Sequence, residues 1–156
     1  MANAVLTKTD AVALFTVTLA GLASGSSRQS DMISNSSNRP AAIVAIKITS
    51  GAVAPVAGGV YTVHLIRASA ATSPDYRSDG AGASDAAITM ENARFLGSIV
   101  VTASAAKAFY AEFDTSPLGP LGPSWGIIVR NATSQAASTT ESDHYKGYLY
   151  YYPELQ

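Results

Sequence analysis

Two histidines, His64 and His144, are the side chains best suited to proton transfer near neutral pH, and they lie far apart in the chain. Alternation sets His64 opposite the face carrying Tyr61, Val63 and Leu65, so a surface or interface histidine is expected rather than a ligand. A Ser–His–Asp triad needs a positioned nucleophile, and none of the nineteen serines sits in a G-x-S-x-G elbow. No G-x-x-x-x-G-K-[ST] loop and no strand-linked G-x-G-x-x-G is present to cradle phosphates. Asp75, Asp79 and Asp85, with Gly80 and Gly82 between them, offer hard oxygens to a calcium ion. Their spacing lacks the Asp/Asn alternation and distal Glu of a calcium loop, so a solvated loop is expected. Cysteine is absent, which excludes a disulfide scaffold, a thiolate zinc site, an iron–sulfur cluster and a cysteine nucleophile. The expectation is no catalytic residue, no metal, no cofactor and no enzymatic activity.

Aromatic chemistry is concentrated at one end. Five of the eight tyrosines lie between Tyr145 and Tyr152. On a strand, Tyr148, Tyr150 and Tyr152 line one face, while Tyr145, Leu149 and Tyr151 line the other. Such a strand suits burial by the core on one side and by a neighbouring chain on the other, because tyrosine is enriched at interfaces. The competing reading is a sugar-binding platform in which these rings and Trp125 stack on pyranose faces. The segment PLGPLGP (Pro117–Pro123) carries Leu118 and Leu121 where proline disfavours sheet pairing. These leucines either plug the chain's own core or contact another subunit.

The chain has ten basic and eleven acidic residues, a net charge of −1, which argues against a nucleic-acid partner held by phosphate contacts. Only 13% of residues are charged, against about 25% in an ordinary soluble domain. The apolar fraction is 47%, but 28 of those residues are alanine, so the core must be thin. A weakly charged, Ser/Thr/Ala-dressed surface suits a subunit whose faces meet other protein. Ala11–Ala23 has the look of a signal-peptide core, yet Phe15, Val17 and Leu19 alternate with Thr16 and Thr18, and no clearly positive region precedes them. No signal peptide and no membrane span are expected. Two N-x-[ST] triplets, at Asn35 and Asn131, are then without meaning as glycosylation signals.

The elements that must position these residues are strands. Period-two alternation predicts strands at Ala13–Ala20, Ala42–Ser50, Val60–Ala68, Arg94–Ser104, Lys107–Asp114, Ser124–Asn131 and His144–Tyr152. Ala86–Ala93, capped by Ser84 and Asp85, is the one candidate for a short helical turn. Ser69–Ala93 forms a long insertion of about 25 residues, a length that is uncommon inside a compact domain. The pattern predicts an all-β fold, an antiparallel β-sandwich, jelly-roll-like, of about seven to eight strands with one long loop. A jelly-roll and an immunoglobulin-like strand order both stay open. Residues 1–12 are expected as an N-terminal arm and 13–156 as a single sandwich domain.

The phrases Ser26-Ser27-Arg28-Gln29-Ser30-Asp31, APVAGGVYTVHLIRAS (Ala54–Ser69), GASDAA (Gly82–Ala87), FLGSIVVTASA (Phe95–Ala105) and WGIIVRNAT (Trp125–Thr133) occur in an order that resembles small all-β structural proteins of tailed bacteriophages. The Tyr-rich end, the PLGPLGP loop and the N-terminal strand depart from that family. The resemblance implies a virion component of the head decoration, or cement, type. Its partner would be the major capsid protein, and it would form a homo-oligomer, with a trimer favoured. It would be made in the host cytoplasm, sit on the capsid exterior and stabilise the mature shell. Interface anchors are expected among Leu118, Leu121, Trp125, Tyr148, Tyr150 and Tyr152. The alternative is a host-recognition or glycan-binding module of a head fibre or tail.

Overall fold

A computed structural model describes residues 4–8, 12–69 and 77–155, with the backbone alone for 4–8 and 151–155. Eleven strands run in chain order: β1 (Ala4–Lys8), β2 (Ala13–Leu14), β3 (Ser27–Gln29), β4 (Ile33–Ser34), β5 (Ala42–Thr49), β6 (Val60–Ala68), β7 (Ala86–Ala87), β8 (Arg94–Val100), β9 (Ala108–Asp114), β10 (Ser124–Ala132) and β11 (Tyr145–Leu155). They form two antiparallel sheets packed as a sandwich. One is ordered β1-β11-β5-β9, with β2 also against β11; the other is ordered β7-β3-β10-β6-β8, with β4 also against β10. The chain crosses between sheets from β2 to β3, from β4 to β5, from β5 to β6, from β8 to β9, from β9 to β10 and from β10 to β11. Six of the seven expected strands are present at close to their expected bounds, and the additional ones have two to five residues.

Burial follows the alternation. Val44, Ile46 and Ile48 of β5 face Tyr61, Val63 and Leu65 of β6 and Trp125, Ile127 and Val129 of β10 across one core. Strand β10 differs: Ser124 to Val129 are buried without a break. Its outward residue Ile128 joins Ile66 and Ala81 in a second small cluster, roofed by Met32, Ile88, Met90 and Ala93. A strand covered on both faces reads as a continuous apolar run rather than an alternating one. Residues 77–93 therefore cover this part of the sheet's outer face.

Trp125 sits at the centre of the core, fully buried. Its ring meets Phe15 edge-on at 5.3 Å and Tyr148 at 5.2 Å, and its Nε1–H donates to Tyr150 Oη at 3.0 Å. A buried indole needs such a partner, since an unmade bond would cost about 1–3 kcal/mol. The PLGPLGP segment folds back as a plug: Leu121 is fully buried, and Leu118 packs on the same core. Arg67 holds the plug by donating to the carbonyls of Leu118 and Pro120, and Arg94 Nη1 donates to Leu118 O at 2.7 Å. Gly122 adopts φ 79°, a left-handed turn open to glycine, and a Cβ there would lie 2.8 Å from Ala68 O.

Two expectations are corrected. Only Ala13–Leu14 of the expected Ala13–Ala20 strand pairs as a strand. Residues 15–20 keep the alternation, with Phe15, Val17 and Leu19 buried, but most of their amides are taken by carboxylates. Thr16 N donates to Asp31 Oδ1 at 2.9 Å, Thr18 N to Asp85 Oδ2 at 3.0 Å, and Leu19 N and Ala20 N to Glu141 Oε2 at 2.9 and 2.7 Å. The segment is a strap along the open side of the sandwich, where acidic side chains replace a neighbouring strand. Ala86–Ala93, expected as a helical turn, begins instead as β7, with Ala86 and Ala87 opposite Gln29 and Arg28. Asp85 does not cap a helix. It pairs with Arg28 and accepts from Thr18, and Gln29 Nε2 donates to Gly82 O and Ser84 O. These long-range bonds outweigh the helical preference of the alanines.

Leu121→Ala should lower unfolding free energy by about 2–5 kcal/mol in urea denaturation, the range for opening a cavity in a packed core. Asp85→Ala should cost about 1–3 kcal/mol, because Thr18 N, Thr18 Oγ1 and Arg28 all lose one acceptor; the same measurement reads it.

Candidate functional site

The six positions expected as anchors separate in the structure. Trp125 and Leu121 are interior and Tyr148 is almost so, while Leu118 and Tyr150 are half-buried against the core. Leu121, Trp125 and Tyr148 are therefore core residues of this chain rather than free docking surface, a correction with a simple cause. Tyr148 and Tyr150 occupy the face of β11 that points at β10, and the plug carries Leu121 inward. The Tyr152 backbone pairs with Thr7, and its side chain lies outside the described residues. A sugar platform built on Trp125 is ruled out by the same burial.

What is exposed is the other face of the same strands. Register places Tyr145, Lys47 and Tyr110 in one row across β11, β5 and β9. The adjacent row is Leu14, Gly147, Ala45 and Glu112, and Leu149, Ile43 and Asp114 form a third. Tyr110 is 72% exposed, Leu14 65% and Tyr145 38%. Between the two tyrosines lies a shallow depression of about 450 Å³, lined by Ala45, Lys47, Tyr110, Glu112 and Tyr145 among others. The Tyr145 ring lies over Gly147, whose absent Cβ would stand 2.5 Å from the Tyr145 hydroxyl. On the opposite sheet residues 77–93 cover Ile66 and Ile128, while Phe95 and Val100 of β8 are exposed. The alternation that carried Tyr148 inward carries Tyr145 outward, so the signal for this face was in the sequence. What the sequence lacked was the knowledge that nothing of this chain covers it among the described residues.

Beyond Tyr150, β11 loses β5 as a neighbour: Tyr150 pairs with Ala42, and residues 151–155 pair only with β1 among the described strands. The two form a ribbon about 17 Å long at 3.4 Å per residue. Pro153 lies within it, and proline in sheets is confined to edges and bulges. Residues 4–8 of the expected N-terminal arm thus lie along their own chain's C-terminal strand.

The groups with chemical potential are engaged structurally. His144 is buried; its Nδ1 accepts from Thr49 N at 3.3 Å and its Nε2–H donates to Ser138 O at 3.1 Å. Its partner on Ser138 is the carbonyl, while the Ser138 hydroxyl donates to Asp143 at 2.6 Å, so the three side chains do not form a proton relay. His64, expected at the surface or at an interface, is buried, with its ring against Phe95 at 5.4 Å and its Nε2 3.0 Å from Thr62 Oγ1. The outer face of its sheet is partly roofed, and that is why alternation misplaced it. Burial pushes both histidines below their ordinary value; Asp79 and Arg130 face His64, and Glu141, Asp143 and Lys146 face His144. For Asp85, burial raises the pKa, but bonds from Arg28 and Thr18 outweigh it and hold the carboxyl below its usual range. Glu141 behaves alike, with Lys146 and the Leu19 and Ala20 amides prevailing.

Asp79 turns its carboxylate to Asn92 N and Ala93 N, and Asp85 is taken as described above; Asp75 lies outside the described residues. No group of three or more His, Asp or Glu among the described residues is placed to hold a metal ion. No described helix is long and apolar enough to cross a membrane. Both asparagines of the N-x-[ST] triplets are buried: Asn131 donates to Leu22 O and Gln135 O, and Asn35 to Arg39 O and Gly122 O. They act as loop clamps. No protein-family model matches the chain, and no curated protein matches it significantly.

Both histidine values are depressed in the folded chain, so the unfolded chain takes up protons first as pH falls. Their stability contribution is present above the ordinary value of 6.5 and is lost progressively as pH drops from there toward the folded values. The urea midpoint should fall between about pH 7.5 and about pH 5. The His64→Gln/His144→Gln double variant should show a flatter profile over that interval.

Proposed function

We propose that this chain is a non-enzymatic virion structural protein of the head-decoration kind, which docks on the outer surface of a phage capsid and stabilises the mature shell. The observation that carries the reading is the β1/β11 ribbon, which runs past the last β5 pairing. An isolated two-stranded ribbon is marginal in water and needs support from something it packs against. Strand edges of this kind recruit neighbouring chains by backbone pairing. The phrase order that resembles small phage structural proteins, the low charge and the bare sheet face next to the ribbon favour the same reading. The mechanism is linkage: a protein that binds the assembled shell better than the dissociated one shifts the equilibrium toward assembly. The partner is the major capsid protein, and a trimer is the favoured state.

Quantitative mass spectrometry of purified particles should find this chain in numbers comparable to the shell protein. A tenfold or greater deficit would move it to a tail, collar or fibre, and absence from the particle would overturn the reading. Adding the chain to stripped capsids should raise their melting temperature, and a variant lacking residues 1–8 should fold but fail to do so. The second reading, a glycan-recognition module, no longer has Trp125 or Tyr148 to stand on; its support is the exposed Tyr110–Tyr145 row.

A further inference from the structure

Phe95, Tyr110 and Tyr145 are the only markedly exposed aromatic side chains among the described residues, and two of them share one row of one sheet. Tyr145 and Tyr110 stand on β11 and β9 with β5 between, so two strand spacings, roughly 10 Å, separate their backbones. The floor is low at Ala45, which lines the depression, while Gly147 beside it is covered by the Tyr145 ring. Lys47 lies in the tyrosine row and Glu112 in the row of Ala45, which supplies one donor and one acceptor to the lining. Tyr145 rests on Gly147 instead of standing free, so one wall is set by its own strand. The depression of about 450 Å³ falls within the usual range for small-molecule sites.

We propose that this trough is a binding site for a pyranose ring, with Tyr110 and Tyr145 packing against its apolar C–H face and Lys47 and Glu112 bonding its hydroxyls. A sugar matches this lining better than a purely apolar ligand, because a slot walled by two phenols and edged by two opposite charges offers hydrogen bonds on its rim and carbon at its sides. The occupant is a neutral carbohydrate, since Lys47 and Glu112 leave the trough without net charge. The site is independent of capsid docking by the ribbon.

The test is saturation-transfer difference NMR on the isolated chain. The probes are methyl β-D-glucopyranoside, methyl β-D-galactopyranoside, methyl α-D-mannopyranoside and N-acetyl-D-glucosamine, with glycerol as the control. At least one pyranoside should receive saturation at its ring protons above the glycerol level, and Tyr110→Ala should weaken its binding about tenfold. Tyr110 is too exposed for this change to threaten the fold. Gly147→Ala, which must displace the Tyr145 ring, should also weaken binding, and an unchanged tryptophan emission would confirm that the core is intact. Transfer no greater than to glycerol for all four sugars overturns the proposal. So does binding unaffected by both Tyr110→Ala and Tyr145→Ala. Self-association that Tyr110→Ala abolishes and no sugar competes with would make the face a contact between copies, and would likewise overturn it. Because no capsid enters the experiment, failure here is distinct from failure of the decoration reading.

Discussion

The fold turns on the burial of one indole. In a chain whose apolar residues are so often alanine, few side chains are large enough to fill the space between two sheets, and Trp125 is the largest of them. Phe15 from the strap, Tyr148 and Tyr150 from β11, and β10 itself meet around that ring. The hydrogen bond to Tyr150 satisfies the indole N–H and fixes the rotamer of a tyrosine at the margin of the core. The cluster ties the N-terminal strap and the C-terminal strand to the middle of the six-stranded sheet. Burial accordingly pushes the Tyr148 phenol up to about 12, with Tyr150 beside it acting in the same direction.

The scarcity of charge makes the placement of the few acids consequential. Asp31, Asp85 and Glu141 supply the acceptors that a neighbouring strand would otherwise supply to residues 16–20. Arg28 and Lys146 pair with the latter two. The net worth of such surface-edge pairs is modest. Their structural effect is larger, because the strap closes one side of the sandwich and carries Phe15, Val17 and Leu19 into the core. Acid should therefore act in two stages: buried neutral histidines first, then Asp85 and Glu141 once pH falls through their depressed folded values.

The two outer faces of the sandwich are unlike, and this difference frames the functional reading. Residues 77–93 roof the Ile66 and Ile128 part of the six-stranded sheet with Ile88, Met90 and Ala93, and leave Phe95 and Val100 of β8 exposed. The five-stranded sheet leaves Leu14, Tyr110 and Tyr145 open to solvent. Isolated exposed apolar residues are ordinary, but aligned aromatic and aliphatic rows on one face are characteristic of contact surfaces. The ribbon extends the sheet that bears this bare face, so both features are carried by the same element, β11.

Much of the fold was legible in the chain itself. Period-two alternation located all the long strands, and Val44, Ile46 and Ile48 or Tyr61, Val63 and Leu65 were assigned to common faces as the structure has them. The strap, by contrast, reads as a strand locally because its alternation is that of a strand; that its amides bond Asp31, Asp85 and Glu141 is a matter of side chains distant in sequence. His64 reads as a surface or interface residue, and the folded position of residues 77–93 helps to bury it, as it does Ile128. The tyrosine strand was recognised as two-faced, but which face the core would claim depended on where Trp125 came to lie. Local pattern, set by covalent geometry and hydrophobic alternation, determined the strands, their inward residues and the sandwich class. Pairing order, the roofing of one sheet and the baring of the other were decided by long-range contacts, because which surfaces meet depends on how the loops bring distant strands together.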